Sequence, residues 1–563
     1  MRSSVRRRRG SPPARCCEWT VQPVSEHPEA EYPDAEYAEA TVSRYYADGS
    51  WTKDTIADLV ARNAAAAPDA IAFYAEDATL TWRAYDRLST QLAGAYVLAG
   101  WRPGERLAVL LTGGALTHVA YLAAQKAGLV TVGLAPRAGD AEVAYLLSHT
   151  EAGGVGTRAN HRGRPGWEIA QAAGARRHLV LDLVDEELTL ECDGTSLRVP
   201  SWDEAASLIA GRGLGPDDLF FLNSTSGTTG RPKCVRQTMN TRKYFGALAA
   251  EAAQFRSDEV VFSAVPAPYG FGLWSAHVVP TQYRFPTVLA AEFSPAETLR
   301  LIERHRVTVL AAVTSQFIML LNAPEFAEYD LSSLRVLFTG GERVPYRRAA
   351  EFEERTGCTV VQFYGSNEAG PISVTRVDDD REKRLRTVGR PIPAMRVRFF
   401  APDGSPVDGG PGQIAVNGPG CTAGYFRDAA ANRILFREDG WLLTGDIGEL
   451  DGDGYLSVTG RAADFIIRGG HNISVPYVEE VVGGHPRVAQ VAVVGYPDEV
   501  LGERVCAFVV TRDGADLDLD DLRAYLGQAG VSKVNWPERV VCLPALPIGV
   551  GGKVDKKALR AWL

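Results

Sequence analysis

The stretch most able to do chemistry is rich in glycine and hydroxyl residues and ends in a lysine. It reads Ser224-Thr225-Ser226-Gly227-Thr228-Thr229-Gly230-Arg231-Pro232-Lys233. Glycines let backbone N–H groups approach an anion closely, hydroxyls add donors, and lysine adds positive charge. The apolar run 219–222 before it predicts a strand, and the Walker pattern is absent. The sequence therefore predicts a non-Walker phosphate-binding loop that leaves a sheet.

A second segment combines an aromatic ring with a carboxylate. It reads Phe363-Tyr364-Gly365-Ser366-Asn367-Glu368 and follows a predicted strand at 359–363. An aromatic ring can stack on a purine, and a carboxylate beside a phosphate site can bind Mg²⁺ through hard oxygen ligands. Further along, Thr444-Gly445-Asp446 supplies a carboxylate that can accept hydrogen bonds from both hydroxyls of a ribose. Together the segments favour a nucleotide site.

The elements that must position these segments alternate between short apolar runs and helical stretches. The predicted strands are 106–111, 129–134, 260–265, 307–313, 334–338 and 359–363. Helical spacing begins at residue 56 and recurs over 115–127. This alternation is typical of α/β architecture with largely parallel sheets.

The pattern of residue types and predicted elements changes twice towards the C-terminus. After about residue 395, Pro/Gly-rich turns separate short strands such as 412–416, which indicates a β-rich subdomain. Strands at 488–494 and 504–510 and a helix at 519–526 then predict a small α+β domain. We therefore expect a poorly ordered leader over 1–44, a large domain over 45–460 and a small domain over 461–563.

Length and composition narrow the function classes. The 563 residues are enough for two to four domains, and 45% hydrophobic with 23% charged residues is ordinary globular usage. A net charge of −9 argues against nucleic-acid binding. No apolar run reaches about 18 residues, and the arginines at 6–9 precede no apolar signal core. We expect a cytoplasmic protein without a membrane span, and the oligomeric state stays open.

The motifs, in this order, resemble those of the adenylate-forming superfamily, which includes acyl-CoA synthetases, adenylation domains of nonribosomal peptide synthetases, and luciferases. The likeness runs from about residue 45 to residue 563. The resemblance implies a large N-terminal domain of α/β subdomains plus a β-rich subdomain, followed by a small mobile α+β C-terminal domain. It also implies ATP, Mg²⁺ and coenzyme A as cofactors, and a small carboxylic acid as the partner.

The resemblance assigns roles to residues of the large domain. The implied nucleotide-binding residues are Ser224, Thr225, Ser226, Gly227, Thr228, Thr229, Gly230, Gly341, Glu342, Tyr364, Gly365, Ser366, Asn367, Asp446 and Arg461. Lys233 and Glu368 are the implied catalytic residues here, and Glu368 and Thr228 the implied metal ligands. The family usually has Thr or Ser in place of Asn367, where the hydroxyl contacts the α-phosphate.

The small domain carries the remaining implied roles. Asp464 matches the hinge about which the small domain rotates between two half-reactions. Gly469, Gly470 and His471 match the segment that lines the coenzyme A passage. Lys553, in Gly551-Gly552-Lys553, matches the lysine that enters the site during adenylation, although Gly549 and Gly551 replace the hydroxyl residues that usually precede it.

The acid pocket is expected around the segment Pro266-Ala-Pro268-Tyr269-Gly270-Phe271-Gly272-Leu273-Trp274. By resemblance, the pocket residues are Tyr269, Phe271, Gly272, Trp274, Gly340 and Phe363. Apolar walls select apolar bodies. The surrounding sequence most resembles that of ligases of medium-chain, alicyclic or aromatic acids. We therefore expect a bulky hydrophobic acid as the substrate.

The predicted reaction is formation of an acyl-adenylate from ATP and the acid, followed by an acyl-CoA thioester and AMP. Two alternatives stay within enzymes: a ligase that loads the phosphopantetheine of a carrier protein, and an enzyme that performs only the thioester-forming half from a preformed acyl-adenylate. A catalytically inactive nucleotide-binding regulator is the alternative from another class, and retention of the charged motif residues argues against it.

Overall fold

The computed structural model describes residues 37–563, apart from 185, 226–231, 462–464, 469–470, 499–501, 530, 532 and 550–553.

The largest sheet is parallel at its centre and antiparallel at both edges. From edge to edge it contains Arg390–Pro391, Gly370–Val374, Thr359–Ser366, Val336–Gly340, Val309–Ala311, Val261–Ser263, Thr287–Val288, Ile71–Tyr74 and Thr79–Thr81. Its central strands are short apolar runs without polar alternation, as expected where both faces of a parallel sheet are covered.

A second large sheet has the same character. Its order is Thr195–Leu197, Glu187–Cys192, His178–Val184, Gly154–Thr157, Arg106–Leu110, Val130–Gly133, Leu219–Thr225 and Lys233–Thr238. The last two strands pair antiparallel, with Thr225 opposite Lys233. The predicted phosphate loop therefore lies between the ends of a hairpin.

Helices cover the two large sheets and fill the space between them. In the large part of the chain they are Glu39–Ala47, Ile56–Ala66, Trp82–Leu98, Ala115–Lys126, Asp140–His149, Gly166–Ala172, Trp202–Ile209, Met239–Lys243, Phe245–Ala253, Val279–Tyr283, Pro295–His305, Thr314–Leu321, Tyr346–Thr356, Arg381–Arg386 and Ala429–Leu435.

Ala115–Lys126 is buried along its whole length. Its first N–H groups donate to the Asp77 carboxylate, at 2.9 Å for Ala115 and 3.2 Å for Leu116, which satisfies donors that the helix itself leaves unpaired.

Two smaller units follow. An antiparallel sheet contains Pro406–Val407, Arg396–Phe400, Gly412–Asn417, Leu442–Leu450 and Leu456–Arg461. The C-terminal sheet contains His471–Ser474, Phe465–Arg468, Gly502–Thr511 and Val488–Asp498, with Arg539–Cys542 pairing parallel to Gly502–Thr511. The helices Val475–Gly483, Leu519–Gln528 and Lys556–Ala561 pack against it. The predicted α/β, β-rich and α+β architecture is confirmed.

A helix lies at the predicted boundary after residue 44, and residues 1–36 of the predicted leader lie outside the described part of the chain. Glu39–Ala47 crosses the boundary. Tyr37 and Tyr45 pack against Trp51, with ring centroids 5.2 and 5.0 Å away. The Trp51 indole N–H donates to the Pro419 carbonyl at 3.0 Å. Aromatic burial thus fastens residues 37–44 to the body, although their sequence lacks a sustained period.

A short π-helix, Leu273–Val278, continues from the predicted acid-pocket segment. Such turns are rare and occur mostly at functional sites. Trp274 on this helix faces the cleft described below, whereas His277 is fully buried on the other side. No helix in the described part of the chain has both the length and the apolar character needed to cross a membrane.

Candidate active site

A deep cleft lies where the carboxyl ends of the central parallel strands meet the antiparallel subdomain and the C-terminal domain. Its volume is about 1890 Å³, above the range of about 300–1,000 Å³ typical of a single small-ligand pocket. Ligands of open α/β sheets bind outside the carboxyl ends of the strands. The cleft therefore has room for two ligands side by side.

The part of the cleft next to the hairpin contains Thr225 and Lys233. The Lys233 ammonium lies 5.0 Å from the centre of the Tyr425 ring, within cation–π distance. The Tyr425 hydroxyl donates to a Glu368 carboxylate oxygen at 2.8 Å. Burial, followed by the charge of Glu368, raises the pKa of Tyr425, so this phenol stays a neutral donor. Tyr425 thereby contacts a cation through its ring and a carboxylate through its hydroxyl.

Glu368 fits a role in binding Mg²⁺. One carboxylate oxygen accepts from Tyr425, and the other has no hydrogen-bond partner among the described residues. The described residues contain no cluster of three or more His, Cys, Asp or Glu side chains that could hold a metal by themselves. Mg²⁺ is commonly bound by one or two carboxylates together with substrate phosphates and water, which matches this donor set.

Tyr364, Asp446 and Arg461 form a group connected by hydrogen bonds beside the cleft. The Tyr364 hydroxyl donates to Asp446 at 2.7 Å, and the Arg461 Nε donates to the same carboxylate at 2.9 Å. Burial and then Asp446 raise the pKa of Tyr364 well above its usual value. Gly445 and Arg461 line the cleft directly. Tyr364 and Asp446 do not line the cleft themselves. Their neighbours in sequence, Gly365 and Gly445, do.

Gly341 and Glu342 occupy the turn after the strand Val336–Gly340. Gly341 lines the cleft and has a φ of 78°, a left-handed conformation that favours glycine. Glu342 turns away: its carboxylate accepts the Ser315 N–H at 3.0 Å, and it is not among the residues that line the cleft.

Asn367 joins the nucleotide segment to the acid-pocket segment. Its side-chain oxygen accepts the Gly270 N–H at 3.1 Å. Its backbone carbonyl accepts from Gln237 at 2.9 Å and from Arg242 at 3.1 Å. Because Gly270 N–H can donate only to the amide oxygen, the amide nitrogen is left as a donor with no described partner. The residue that replaces the usual hydroxyl thus keeps a donor at this end of the cleft.

An aromatic cluster forms the opposite part of the cleft. It contains Phe245, Phe271, Trp274, Phe338 and Phe363, and the closest pair, Phe271 and Phe363, has ring centroids 4.7 Å apart in an edge-to-face contact. The residues of the cluster that line the cleft, together with Tyr269, Val313 and Gly340, give it an apolar wall. Gly272 does not line the cleft; a Cβ there would lie 2.1 Å from the Pro266 carbonyl oxygen, so close backbone packing requires glycine.

The C-terminal domain closes one side of the cleft. Gly549 and Val554 line it, together with Asp555, Lys556 and Lys557. Ile548 and Val554 pair as an antiparallel bridge. The described residues on both sides of segment 550–553 therefore face the cleft. Arg343 of the large domain forms an ion pair with Glu480 of the helix Val475–Gly483.

Several predicted site residues lie outside the described part of the chain. These are Ser226, Gly227, Thr228, Thr229, Gly230, Asp464, Gly469, Gly470 and Lys553, together with the side chain of His471. Ser224, Thr225, Lys233, Gly365, Ser366, Asn367 and Glu368 line the cleft together.

Three residues of the site were not predicted. Tyr425 contacts both Lys233 and Glu368, Phe245 belongs to the aromatic wall, and Arg242 lines the cleft beside Asn367. Arg242 lies in the helix Met239–Lys243, and Phe245 begins the next helix, Phe245–Ala253. Neither residue belongs to a motif of the sequence, so only the tertiary structure shows that both line the cleft.

Comparisons with known proteins extend over most of the chain. A family model described as AMP-binding enzyme matches residues 60–426, and a model described as AMP-binding enzyme C-terminal domain matches residues 477–553. The vibriobactin-specific 2,3-dihydroxybenzoate-AMP ligase of Vibrio cholerae is 29% identical over 524 residues, covering 92% of this chain and 96% of that protein. The 2-hydroxy-7-methoxy-5-methyl-1-naphthoate–CoA ligase of Streptomyces carzinostaticus is 31% identical over 538 residues, covering 92% and 95%.

The solved structures give the same picture at the level of the fold. The ATP-bound crystal structure of MatB from Rhodopseudomonas palustris has a TM-score of 0.77 at 28% identity, covering 90% of this chain and 98% of that one. Both the large and the small parts of the present chain are therefore included in the match.

Proposed function

The chain belongs to the AMP-binding enzyme family and is an ATP-dependent, AMP-forming acid ligase, and from that premise we propose that it joins a bulky hydrophobic carboxylic acid to the thiol of coenzyme A. One observation carries the proposal. A single cleft runs from the Asp446–Arg461 group, past Lys233 and Glu368, to the aromatic wall. A nucleotide and an apolar acid would lie in it with the acid's carboxylate towards the phosphates.

The first half-reaction activates the carboxylate. A carboxylate oxygen attacks the α-phosphorus of ATP, the bond to the bridging oxygen of pyrophosphate breaks, and the acyl-adenylate and pyrophosphate result. Negative charge gathers at the phosphorus, so catalysis depends on positioning and on countercharge. Lys233 supplies a cation, and the free amide nitrogen of Asn367 supplies a hydrogen-bond donor. Lys553 would add a second cation, a role supported by the flanking residues that face the cleft.

Glu368 would hold Mg²⁺ through its free carboxylate oxygen, while Tyr425 fixes the orientation of that side chain. When bound, the ion supplies positive charge next to the phosphate oxygens.

The second half-reaction transfers the acyl group. The thiolate sulfur attacks the carbonyl carbon of the acyl-adenylate, the carbon–oxygen bond to the phosphate breaks, and AMP leaves with the electron pair. We propose that the C-terminal domain rotates about Asp464 before this step, so that Lys553 leaves and Gly469, Gly470 and His471 approach the adenylate. The ion pair between Arg343 and Glu480 is exposed and therefore easily broken, which supports such a movement.

Coenzyme A and a carrier-protein phosphopantetheine offer the same reacting thiol. One relative is named for a CoA product and another for an AMP product, so the acceptor is the part of the proposal that most needs a direct measurement. We expect mass spectrometry of reactions with ATP, a panel of acids and either free coenzyme A or a phosphopantetheinylated carrier to show product with free coenzyme A. Product with the carrier alone would replace this proposal by the carrier-loading alternative.

The test of adenylation uses ATP–pyrophosphate exchange. Exchange with at least one hydrophobic acid is expected for the wild type, and Lys553→Ala should lose it by about 100-fold or more while still forming thioester from supplied acyl-adenylate. Lys53→Ala, at an exposed lysine distant from the motif residues in sequence, is the matched control. Thioester formation without exchange for any acid would identify the half-reaction enzyme instead.

A further inference from the structure

Part of the aromatic wall is carried by an irregular helical turn whose cause lies in the sequence. The Val279 N–H donates to the carbonyl of Trp274, five residues earlier, which is the π-helical pattern. Pro280 follows directly and has no N–H, so the carbonyl of Ala276 loses the donor that a regular α-helix would provide. The turn Leu273–Val278 is therefore wider than an α-helical turn.

The widened turn separates Trp274 from His277. Residues three positions apart lie on the same face of an α-helix, but here Trp274 lines the cleft and His277 is fully buried away from it. The indole N–H of Trp274 is buried without a hydrogen-bond partner among the described residues. The ring packs against Phe245 and Phe338, with centroids 5.1 and 5.6 Å away. Its position in the wall therefore depends on this packing and on the turn that carries it.

His277 is bound on the other side by the helix Ala115–Lys126. Its Nε2 lies 3.3 Å from the Gln125 amide nitrogen, and its Nδ1 lies 3.3 Å from the His118 Nδ1. Burial lowers the pKa of His277 to about 3, so the ring is neutral. An amide nitrogen can only donate, so Nε2 accepts, and the single ring proton lies on Nδ1 and is donated to His118. Both ring nitrogens thus bond to one fully buried helix.

These bonds can specify the backbone register of the turn. Hydrogen bonds are directional, whereas apolar contacts permit several packings of similar free energy. A shift of Leu273–Val278 to the α-helical register would rotate His277 out of reach of Gln125 and His118. It would leave polar groups of both partners buried and unpaired, which is costly.

We propose that His277 is a positioning residue for the acid site: its bonds to Gln125 and His118 fix the π-helical register, and that register places the Trp274 indole where it limits the size of the acid. The inference rests on the proposed function and adds a determinant of acid size to it. When the bonds are removed, the turn relaxes, the indole leaves its place in the wall, and larger acids fit.

The test is a double-mutant cycle measured by ATP–pyrophosphate exchange in the full-length protein. The variants are His277→Leu, Trp274→Ala and the two combined, and the acid pairs are hexanoate with dodecanoate and benzoate with biphenyl-4-carboxylate. For at least one pair, we expect the ratio of kcat/KM for the larger acid to that for the smaller acid to rise about tenfold in Trp274→Ala and roughly threefold to tenfold in His277→Leu. The double variant should match Trp274→Ala within about twofold, because His277 acts through the indole.

Three further variants control the cycle. Gln125→Met breaks the same bond from the neighbouring helix and should shift the ratio in the same direction, so the inference is tested even if His277→Leu does not fold. His277→Gln keeps a donor and an acceptor and should retain most of the wild-type ratio. His161→Leu is the matched substitution at a buried histidine that bonds to the Pro136 carbonyl and does not line the cleft, and it should leave the ratio unchanged.

The outcomes separate this inference from the proposed function. Equal losses for both members of each pair in His277→Leu and Gln125→Met would overturn the inference, because a residue that only stabilises the fold does not change the ratio. A shift that persists in full in the Trp274→Ala background would also overturn it. In both cases the proposed function stands. Exchange by the wild type with none of the acids would contradict both.

Discussion

At the scale of single residues, one carboxylate serves two donors at the nucleoside end of the cleft. Asp446 is 6% exposed and accepts hydrogen bonds from Tyr364 and Arg461. In the proposed function a ribose hydroxyl would donate to the same carboxylate, so it would share the Asp446 oxygens with both donors. The tyrosine bond fixes the orientation of the carboxylate, and the arginine compensates its charge.

Tyr364→Phe removes one of these bonds while it preserves the ring. We expect KM for ATP to rise by roughly threefold to tenfold, since a hydrogen bond to a charged group contributes about 1.5–3 kcal/mol and the remaining arginine compensates part of it. The acid KM should change less than twofold in the same exchange assay. An unchanged ATP KM would show that Asp446 needs no orientation by Tyr364.

Gly270 and Asn367 connect the acid-pocket segment to the nucleotide segment. They form a hydrogen bond, and their close approach leaves no room for a side chain at residue 270. A Cβ at residue 270 would lie 2.1 Å from the Asn367 side-chain oxygen. Gly270→Ala should therefore displace the Asn367 amide and lower adenylation by about tenfold or more, at a stability cost of about 1–3 kcal/mol. Gly452→Ala, where a Cβ would meet nothing within 4 Å, is the control. Wild-type exchange in Gly270→Ala would show that the amide position is unimportant.

At the scale of elements, the π-helix Leu273–Val278 connects the aromatic wall to a buried polar group. His277 lies 3.3 Å from both the His118 ring nitrogen and the Gln125 amide nitrogen, and 3.4 Å from the Tyr85 hydroxyl. Burial lowers the pKa of His277 to about 3, and burial followed by His277 lowers the pKa of His118 well below its usual value. Both rings are therefore neutral in the folded protein at neutral pH.

These histidines predict a loss of stability in acid. The unfolded chain binds their protons below about pH 6.5, whereas folded His277 does so only near pH 3, so the free energy of unfolding falls as pH drops through this window. The contribution of His277 should decrease by about 2 kcal/mol between pH 7 and pH 5. Urea unfolding at both values should show a correspondingly smaller loss in His277→Gln. An identical loss in variant and wild type would refute the assignment.

At the scale of the whole molecule, the C-terminal domain contacts the large domain through a charged surface. Arg343 pairs with Glu480, and Arg347 donates to the Gly484 carbonyl at 3.3 Å. The side chains of the ion pair are 45% and 49% exposed, so this pair contributes little stability and breaks easily. This is a suitable property for a domain that must change its orientation within each catalytic cycle.

Glu480→Arg places like charges at that contact. We expect ATP–pyrophosphate exchange to fall by roughly threefold to tenfold, because the orientation that brings residues 549 and 554 to the cleft becomes less populated. Thioester formation from supplied acyl-adenylate should change less. Asp520→Arg, on the exposed face of Leu519–Gln528, controls for the added charge. Equal losses in both half-reactions would argue that the pair stabilises the domain and does not select its orientation.

The sequence by itself determined the α/β architecture, the order of the motifs and the chemistry of each motif. Alternating apolar and helical periods are local, and each motif is contiguous, so both can be recognised without knowing what packs against them. Residues 224–225 and 233 and the segment 365–368 line one cleft, and their roles in binding the nucleotide stay predictions. The roles of Lys553, Asp464 and the glycines at 469–470 stay predictions.

Only the tertiary structure decided which distant residues complete the site. Tyr425 meets Glu368 across 57 positions, and Arg242 meets Asn367 across 125. Neither residue belongs to a recognisable motif, because its role depends on long-range packing and not on its neighbours in sequence. Tyr37 is a further example, because its hydroxyl donates to the carbonyl of Cys421, 384 positions away. Contiguous motifs identify the chemistry of the site, whereas long-range packing determines which other side chains lie beside those motifs.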